Sequence, residues 1–412
     1  MRVTGIIAEY NPFHNGHLYQ LTQAGKETDA DYIIVAMSGN FLQRGVPAIL
    51  DKHTRAHMAL LAGADLVVEL PALHATASAE YFAQAGVSLL AAATADTICY
   101  GCENVDKKLT QTLTDCLLHA PASYDRALSG FLKEGDSYPV ARSRALCQLL
   151  PEWDSEEIAK FLASPNNILA LEYEKAIASC QTSLTGHPIL RKGEGYHSTN
   201  ADSVYASATA IRKLLLSGSD CFPELEKSLP KTSLTLLREK AKEGLLLDAD
   251  DFSDALYTRL LSLPDGYTDF AGCSRGLSDK ITNRLNRFTG FQQFAELLKS
   301  RDLTYTGICR ALLHILLGIT KEDYTRFSPS NPQYLRVLGF RKSASPLLQA
   351  IKKEASVPLV TKVSDASDYL SADAYALLKR DIHAADLYRG IAAVHCGKLL
   401  PNEYNRQIPI IP

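Results

Sequence analysis

Apolar residues near the start of the chain fall in short continuous runs, Val3–Ala8, Tyr32–Met37, Leu66–Leu70 and Thr97–Tyr100. Between them, Leu18–Lys26, His53–Leu61 and Ser78–Ala93 show the spacing of amphipathic helices. Apolar strands alternating with such helices predict an α/β fold with a parallel sheet covered on both faces. Ligands on such sheets sit beyond the carboxyl ends of the strands. The turn after Ala8, the loop Ser38–Gly45, Glu69-Leu70-Pro71 and Tyr100-Gly101 all fall at that edge. Residues 107–181 read as helical, with Pro165 opening a helix and Asn166 and Asn167 in its first turn. Ile189-Leu190 reads as a short strand leading into Arg191, and the helix after Arg212 closes a first domain. Ser217-Gly218-Ser219 is the linker candidate, and beyond it the periodicity is mostly helical, without repeats.

The turn after the first run carries the densest chemistry. Asn11-Pro12 breaks the strand, and His14-Asn15-Gly16-His17 opens the next helix. A helix N-terminus presents unpaired N–H groups and the positive end of its dipole, which suits phosphate. Gly16 admits a ligand close to the backbone, and the imidazoles of His14 and His17 can donate to phosphoryl oxygens. Surface histidines or a metal pair would share that spacing. A second motif, Ser207-Ala208-Thr209-Ala210-Ile211-Arg212, precedes the apolar residues Leu214–Leu216. Its hydroxyls can cap a helix and touch phosphate, and Arg212 can neutralise leaving pyrophosphate.

Composition narrows the classes. A chain of 412 residues, 46% hydrophobic and 22% charged, is that of a soluble globular protein of more than one domain. No apolar run is long enough to span a bilayer and no signal peptide opens the chain, so a cytoplasmic protein without membrane association is expected. Nine scattered cysteines fit reduced thiols and no disulfide-linked partner. Cys99 and Cys102 form a C-x-x-C without the second pair that zinc or redox chemistry would want. The net charge of −3 means that an RNA partner needs a local basic surface. Arg275, Lys280, Arg284, Arg287 and Arg310 among Phe288, Phe291 and Tyr305 are one candidate. Arg336, Arg341 and Lys342 around Tyr334 and Phe340 continue it, although ordinary solvated helix faces fit the same pattern. No G-x-x-x-x-G-K-[ST] loop is present, which excludes a P-loop ATPase.

Strand, H-x-G-H and helix together resemble the HIGH superfamily of nucleotidyltransferases and class I aminoacyl-tRNA synthetases, whose members attack the α-phosphate of ATP on a Rossmann-like sheet. Ser207–Arg212 resembles the Ser-Ser-Thr-x-x-Arg signature of the adenylyltransferase branch, with Ala208 costing one hydroxyl. No Lys-Met-Ser-Lys-Ser stretch accompanies it, which argues against an enzyme that charges amino acids. The longer form Glu9-Tyr10-Asn11-Pro12-Phe13-His14-Asn15-Gly16-His17 narrows the match. With Ser38–Gly45, Tyr100-Gly101, Pro165–Leu169 and Arg191-Lys192-Gly193-Glu194-Gly195-Tyr196-His197, it closely resembles the bacterial tRNA(Met) cytidine acetate ligases along essentially the whole chain.

That resemblance implies a Rossmann-like HIGH nucleotidyltransferase domain over 1–218, followed by a mainly α-helical tRNA-binding domain over 219–412. It implies acetylation of the wobble cytidine of elongator tRNA(Met) to N(4)-acetylcytidine by acetate and ATP. An acetyl-adenylate would be the intermediate, with pyrophosphate and then AMP released. His14, His17 and Arg212 are the expected catalytic residues. The ATP site is expected along Ile7, Ala8, Glu9, Tyr10, Asn11, Pro12, Phe13, His14, Asn15, Gly16, His17, Leu18, Tyr19 and Gln20. Gly101 and Asn167 are expected at the adenosine, with Asn166 in reserve. Arg191 is expected at phosphate or adenine, and Ser207 and Thr209 at the leaving phosphates. Gln43 and Arg44 could hold the acetate carboxylate or a phosphate. Magnesium is expected to accompany ATP, with no carboxylate cluster marking a protein metal site. The competing readings are a small-molecule adenylyltransferase making a coenzyme-A or dinucleotide precursor, and a non-catalytic RNA-binding protein on a relic nucleotide fold.

Overall fold

Strands β1 (Val3–Ala8), β2 (Tyr32–Ser38), β3 (Leu66–Leu70) and β4 (Thr97–Cys102) form where the apolar runs lie. With β5 (Thr185–Leu190) they pair in parallel in the order β5-β4-β1-β2-β3. The structure is a computed structural model that describes residues 1–180, 182–192, 203–218 and 221–412. Gly193–His197 of the sequence motif and Ser219 of the linker lie outside the described residues.

Strand side chains alternate between two cores, as the pleat requires. Ile6, Val35 and Val67 face a core shared with the helices Asn15–Glu27, Lys52–Leu61 and Ala208–Leu215. Ile7, Ile34 and Val68 face the other, shared with the helices Ala79–Ala92 and Pro165–Ser179. Both faces are thus buried, which is why the strands read as continuous apolar runs rather than alternating ones. The helical reading of 107–181 is borne out by the helices Lys107–Leu118, Ala122–Lys133, Tyr138–Leu149, Ser155–Ala163 and Pro165–Ser179. The first four close a satellite core around Leu109, Leu113, Leu146 and Phe161.

Helices also dominate beyond residue 221, with Tyr305–Leu317 buried from Ile308 to Leu317 except at Arg310. Three strands there change the expected picture: β6 (Leu335–Arg341), β7 (Leu359–Val360) and β8 (Ile410–Ile411). β6 lies antiparallel against β3, and β7 and β8 each run parallel to β6. The sheet is therefore mixed rather than wholly parallel. A cut at residue 218 does not separate sheet from helices, since Leu234 and Leu237 of the helix Lys231–Lys242 share a core with Ile6. β6 escaped the sequence reading because Arg336 interrupts its apolar run, and cations among aromatics suggested a surface.

The structure corrects that surface. Tyr334 and Phe291 are each 1% exposed and Arg336 is 2% exposed, so all three are interior. Arg284 donates to the Leu297 carbonyl and Lys280 to Ser300 Oγ at 2.7 Å. Arg275, Arg287 and Lys342 remain exposed.

Candidate functional site

From β1 the chain proceeds to β2 and β3 on one side, and β4 and β5 lie on the other. β1 and β4 thus flank the point where the strand order reverses, and a crevice opens there beyond their carboxyl ends. A cleft of about 460 Å³ occupies that place, walled by the turn after β1, the end of β4, the loop after β2 and residues 205–212.

The turn begins with Tyr10 at φ 48° and a cis Asn11–Pro12 bond. His14 then caps the Asn15–Glu27 helix, its Nδ1 accepting from the Gly16 N–H at 3.0 Å, while His17 Nδ1 accepts from the His14 N–H at 3.3 Å. This is a reciprocal capping box in which imidazoles replace the usual hydroxyl and carboxylate. Since each Nδ1 is an acceptor, the proton of each neutral ring sits on Nε2. The two rings stack with centroids 3.7 Å apart. A side chain at position 16 would collide with the cap, its Cβ falling 2.8 Å from His14 Cε1.

Burial, followed by the charges of Arg191 and Arg212, lowers His14 to about 3. Burial, then His14 and Arg191, lowers His17 well below the ordinary histidine value. Both are therefore uncharged N–H donors at neutral pH. His74, in the short helix Ala72–Ala75, and His314, in the helix Tyr305–Leu317, are each lowered to about 4 by burial. An unfolded chain takes up protons at these four sites as pH falls through 6.5, and the folded chain does not. Stability should then be flat above 6.5 and fall below it, by about 1 kcal/mol per histidine between pH 6.5 and 5.5. Asp381, raised to about 6 mainly by burial, offsets part of that loss. Urea titrations at pH 7 and 5.5 check the slope, and equal stability at the two values would contradict four neutral buried rings.

Arg212 joins the two sequence motifs. Its Nη1 donates to the Asn11 carbonyl at 2.7 Å and its Nη2 to Thr209 Oγ1 at 3.2 Å. Ser207 caps the helix, accepting from the Ala210 N–H at 3.1 Å. Burial, and Arg44 nearby, lower Arg212 to about 10, so it remains charged at neutral pH. Arg55, which no sequence motif singles out, is fully buried and ties the strand ends together. It donates to the carbonyls of Glu9, Ser38, Gly39 and Leu50. The Glu9 carboxylate in turn accepts from the Gln43 N–H at 2.8 Å.

At the β4 side, Arg191 lies over Gly101, where a Cβ would come 3.2 Å from Arg191 Cγ. Asn166 lines the cleft, whereas Asn167 is 1% exposed and spends its carbonyl oxygen on the N–H groups of Glu103 (2.9 Å) and Asn104 (3.1 Å). The reserve asparagine is thus the one at the wall, and Asn167 braces the loop behind it.

Of the stretch Ile7 to Gln20, ten residues line the cleft and Pro12, Phe13, Asn15 and Leu18 do not. Phe13 and Tyr10 pack against the His17 ring. Asn15 Nδ2 points away, donating to the carbonyls of Val204 (3.1 Å) and Lys227 (2.8 Å). Leu18 joins the core below the sheet. Gly101, Arg191, Ser207, Thr209, Arg212, Gln43 and Arg44 all reach the cleft. Glu103, Phe82 and Tyr173 line it too, unforeseen. The spacing of Asn166, Leu169 and Tyr173 along one helix face would have pointed to Tyr173.

Two other sequence features lie elsewhere. Glu69 is buried in an ion cluster, with Lys52 Nζ at 2.8 Å and Arg336 Nη1 at 3.0 Å. Glu403 completes it, bonded by Lys52 at 3.1 Å and by Arg336. Cys99 and Cys102 are buried free thiols, each pushed up to about 12 mainly by burial, and all nine cysteines are free. Among the described residues no helix is long and apolar enough to cross a membrane.

A family model described as HIGH Nucleotidyl Transferase matches residues 1–399. The chain is 39% identical over 397 residues to the tRNA(Met) cytidine acetate ligase of Acetivibrio thermocellus, covering 94% of each sequence. It is 38% identical over 397 residues to the enzyme of that name from Clostridium perfringens, covering 94% of this chain and 95% of the relative. The crystal structure of Thermotoga maritima TmcAL bound with alpha-thio ATP superposes with a TM-score of 0.91 at 31% identity, covering all of both chains.

Proposed function

The chain belongs to the HIGH nucleotidyltransferase family and, within it, to the tRNA(Met) cytidine acetate ligases, and from that premise we propose how its cleft carries out the ligation. ATP binds across the β1–β4 switch point, with its phosphates at the N-terminus of the Asn15–Glu27 helix and its adenosine towards Gly101 and Asn166. The acetate carboxylate attacks the α-phosphate, giving acetyl-adenylate and pyrophosphate. The exocyclic amine of the wobble cytidine of elongator tRNA(Met) then attacks the activated carbonyl, and AMP leaves.

The observation that carries this reading is the meeting of two motifs far apart in sequence, Arg212 bonded to the Asn11 carbonyl beside two imidazoles that present Nε2–H donors. Donors fixed before the reaction stabilise charge as it develops on phosphate, without reorganisation. His14 and His17 hold the triphosphate, and Arg212, Thr209 and Ser207 take the leaving pyrophosphate. Arg191 bears on phosphate or adenine, and Gln43 and Arg44 orient the acetate. Positioning of this kind replaces a covalent protein nucleophile. Among the described residues no cluster of three or more His, Cys, Asp or Glu could hold a metal ion. A magnesium ion accompanying ATP would therefore be held mainly by the phosphates. Residues beyond 218 supply the tRNA surface, with Arg275, Arg287 and Lys342 as exposed cations, and the site of action is the cytoplasm.

The loop bearing Gln43 and Arg44 is tested by Gly45. With φ at +78° it admits no side chain easily, and a Cβ would lie 2.2 Å from the backbone nitrogen of Arg310. Gly45→Ala is expected to cost about 2–4 kcal/mol and to raise the KM for acetate more than that for ATP. Denaturation and initial-rate kinetics check both, and an unchanged acetate KM would detach this loop from acetate.

Purified protein incubated with ATP, radiolabelled acetate and unmodified bulk tRNA should put label into N(4)-acetylcytidine, and only when ATP is present. Well-folded protein that labels no nucleoside would overturn the reading in favour of a small-molecule adenylyltransferase.

A further inference from the structure

Acyl transfer to an exocyclic amine must dispose of a proton. The amine lone pair forms a bond to the acetyl carbon, and the bond from that carbon to the phosphate oxygen breaks. AMP departs with the electron pair, and the nitrogen sheds one proton to become a neutral amide. Among the described residues, the carboxylates and imidazoles lining the cleft are those of Glu9, His14, His17 and Glu103. His14 and His17 cannot accept, because each Nδ1 is already occupied by a backbone N–H and each Nε2 carries the ring proton. Both oxygens of Glu103 are engaged, one by Asn166 Nδ2 and the other by the Asn167 N–H at 3.2 Å.

Glu9 remains. One of its oxygens accepts from the Gln43 N–H at 2.8 Å, which fixes the carboxylate in the wall. Among the described residues its other oxygen has neither hydrogen-bond partner nor ion pair, and it is not sealed from the cleft. A carboxylate left unpaired in a cleft built to receive a triphosphate works against phosphate binding, so its presence there calls for a second purpose. Resting on the acetate-ligase reading, we propose that Glu9 is the proton acceptor of the transfer step, taking the amine proton on its open oxygen. The first step needs no such base, since acetate attacks as an anion. Glu9 is faced by Arg212 from the Ala208–Leu215 helix, with Arg44 beside it, and by Tyr173 from the Pro165–Ser179 helix. Arg55 faces it from the Lys52–Leu61 helix. These cations offset the carboxylate charge, and His14 and His17 follow in its own turn.

Glu9→Gln keeps an acceptor for Gln43 and removes only the basic oxygen. Full-length wild type, Glu9→Gln and Glu9→Asp are compared in acetate-dependent ATP–pyrophosphate exchange and in single-turnover transfer to tRNA from preformed acetyl-adenylate, between pH 5 and 9. For Glu9→Gln, transfer is expected to fall by roughly 10²–10⁴-fold more than exchange does. Glu9→Asp keeps a carboxylate and should retain transfer well above that of Glu9→Gln. Transfer within a few-fold of wild type, an equal loss in both assays, or a Glu9→Asp that transfers no better than Glu9→Gln would overturn the role of Glu9 alone. A wild type that exchanges pyrophosphate but never acetylates tRNA would overturn the ligase reading and this role with it.

Discussion

His17→Ala should lose roughly 10²–10³-fold in acetate-dependent ATP–pyrophosphate exchange while losing only about 1 kcal/mol of stability. The two losses differ because the two nitrogens of the ring have different tasks. Nδ1 accepts from the His14 N–H at 3.3 Å and so contributes one capping interaction. On the proposed reading Nε2–H donates to the transferring phosphate, where a preorganised donor is worth about 3–4 kcal/mol of transition-state stabilisation. Exchange kinetics beside urea unfolding separate the two numbers. A variant with native exchange would take the ring out of the chemistry, and one that lost activity only in proportion to unfolding would make it a cap and nothing more.

The largest stability effect is expected at Arg336. Replacing it by methionine should cost about 3–5 kcal/mol, since Glu69 and Glu403 would then share only Lys52 in an interior that water does not reach. Lys52 and Arg336 are at most 3% exposed and Glu69 is 3% exposed, so removal of one cation leaves net charge in a poor dielectric. The cluster also joins β3, β6, the Lys52–Leu61 helix and the tail at Glu403, so its loss frees several elements together. By contrast, the surface pair Arg326–Asp373, 2.6 Å apart and half-exposed, should tolerate Arg326→Ala within about 0.5 kcal/mol. Equal effects at the two sites would mean that the interior charges are solvated after all.

The parallel half of the sheet was legible because burial on both faces leaves an unbroken apolar run, and β1 and β3 fall on the predicted residues. That His14, Gly16, His17, Thr209 and Arg212 would meet at one cleft was legible because both motifs stand where strand or loop gives way to a helix start. β6 was not, because its central cation is satisfied by partners hundreds of residues away or in the tail, and sequence periodicity carries no such information. Tyr334 and Phe291 show the same limit, since an aromatic beside an arginine reads alike whether it stacks on a base or fills a core. Asn166 and Asn167 differ only in which way the first helical turn faces. Arg55 could not be seen at all, for its four partners are backbone carbonyls.

Antiparallel β6 has one more consequence, for how this chain can be divided. Glu69 stands opposite Arg336 in register, and β6 covers what would otherwise be the bare outer edge of β3, Leu-Val-Val-Glu-Leu. A gene fragment ending near residue 218 would encode the histidine turn and the Ser207–Arg212 motif yet leave that edge open to pair with another chain. In this chain the nucleotide fold and the helical half therefore share one sheet, and a cut between them would expose the edge of β3.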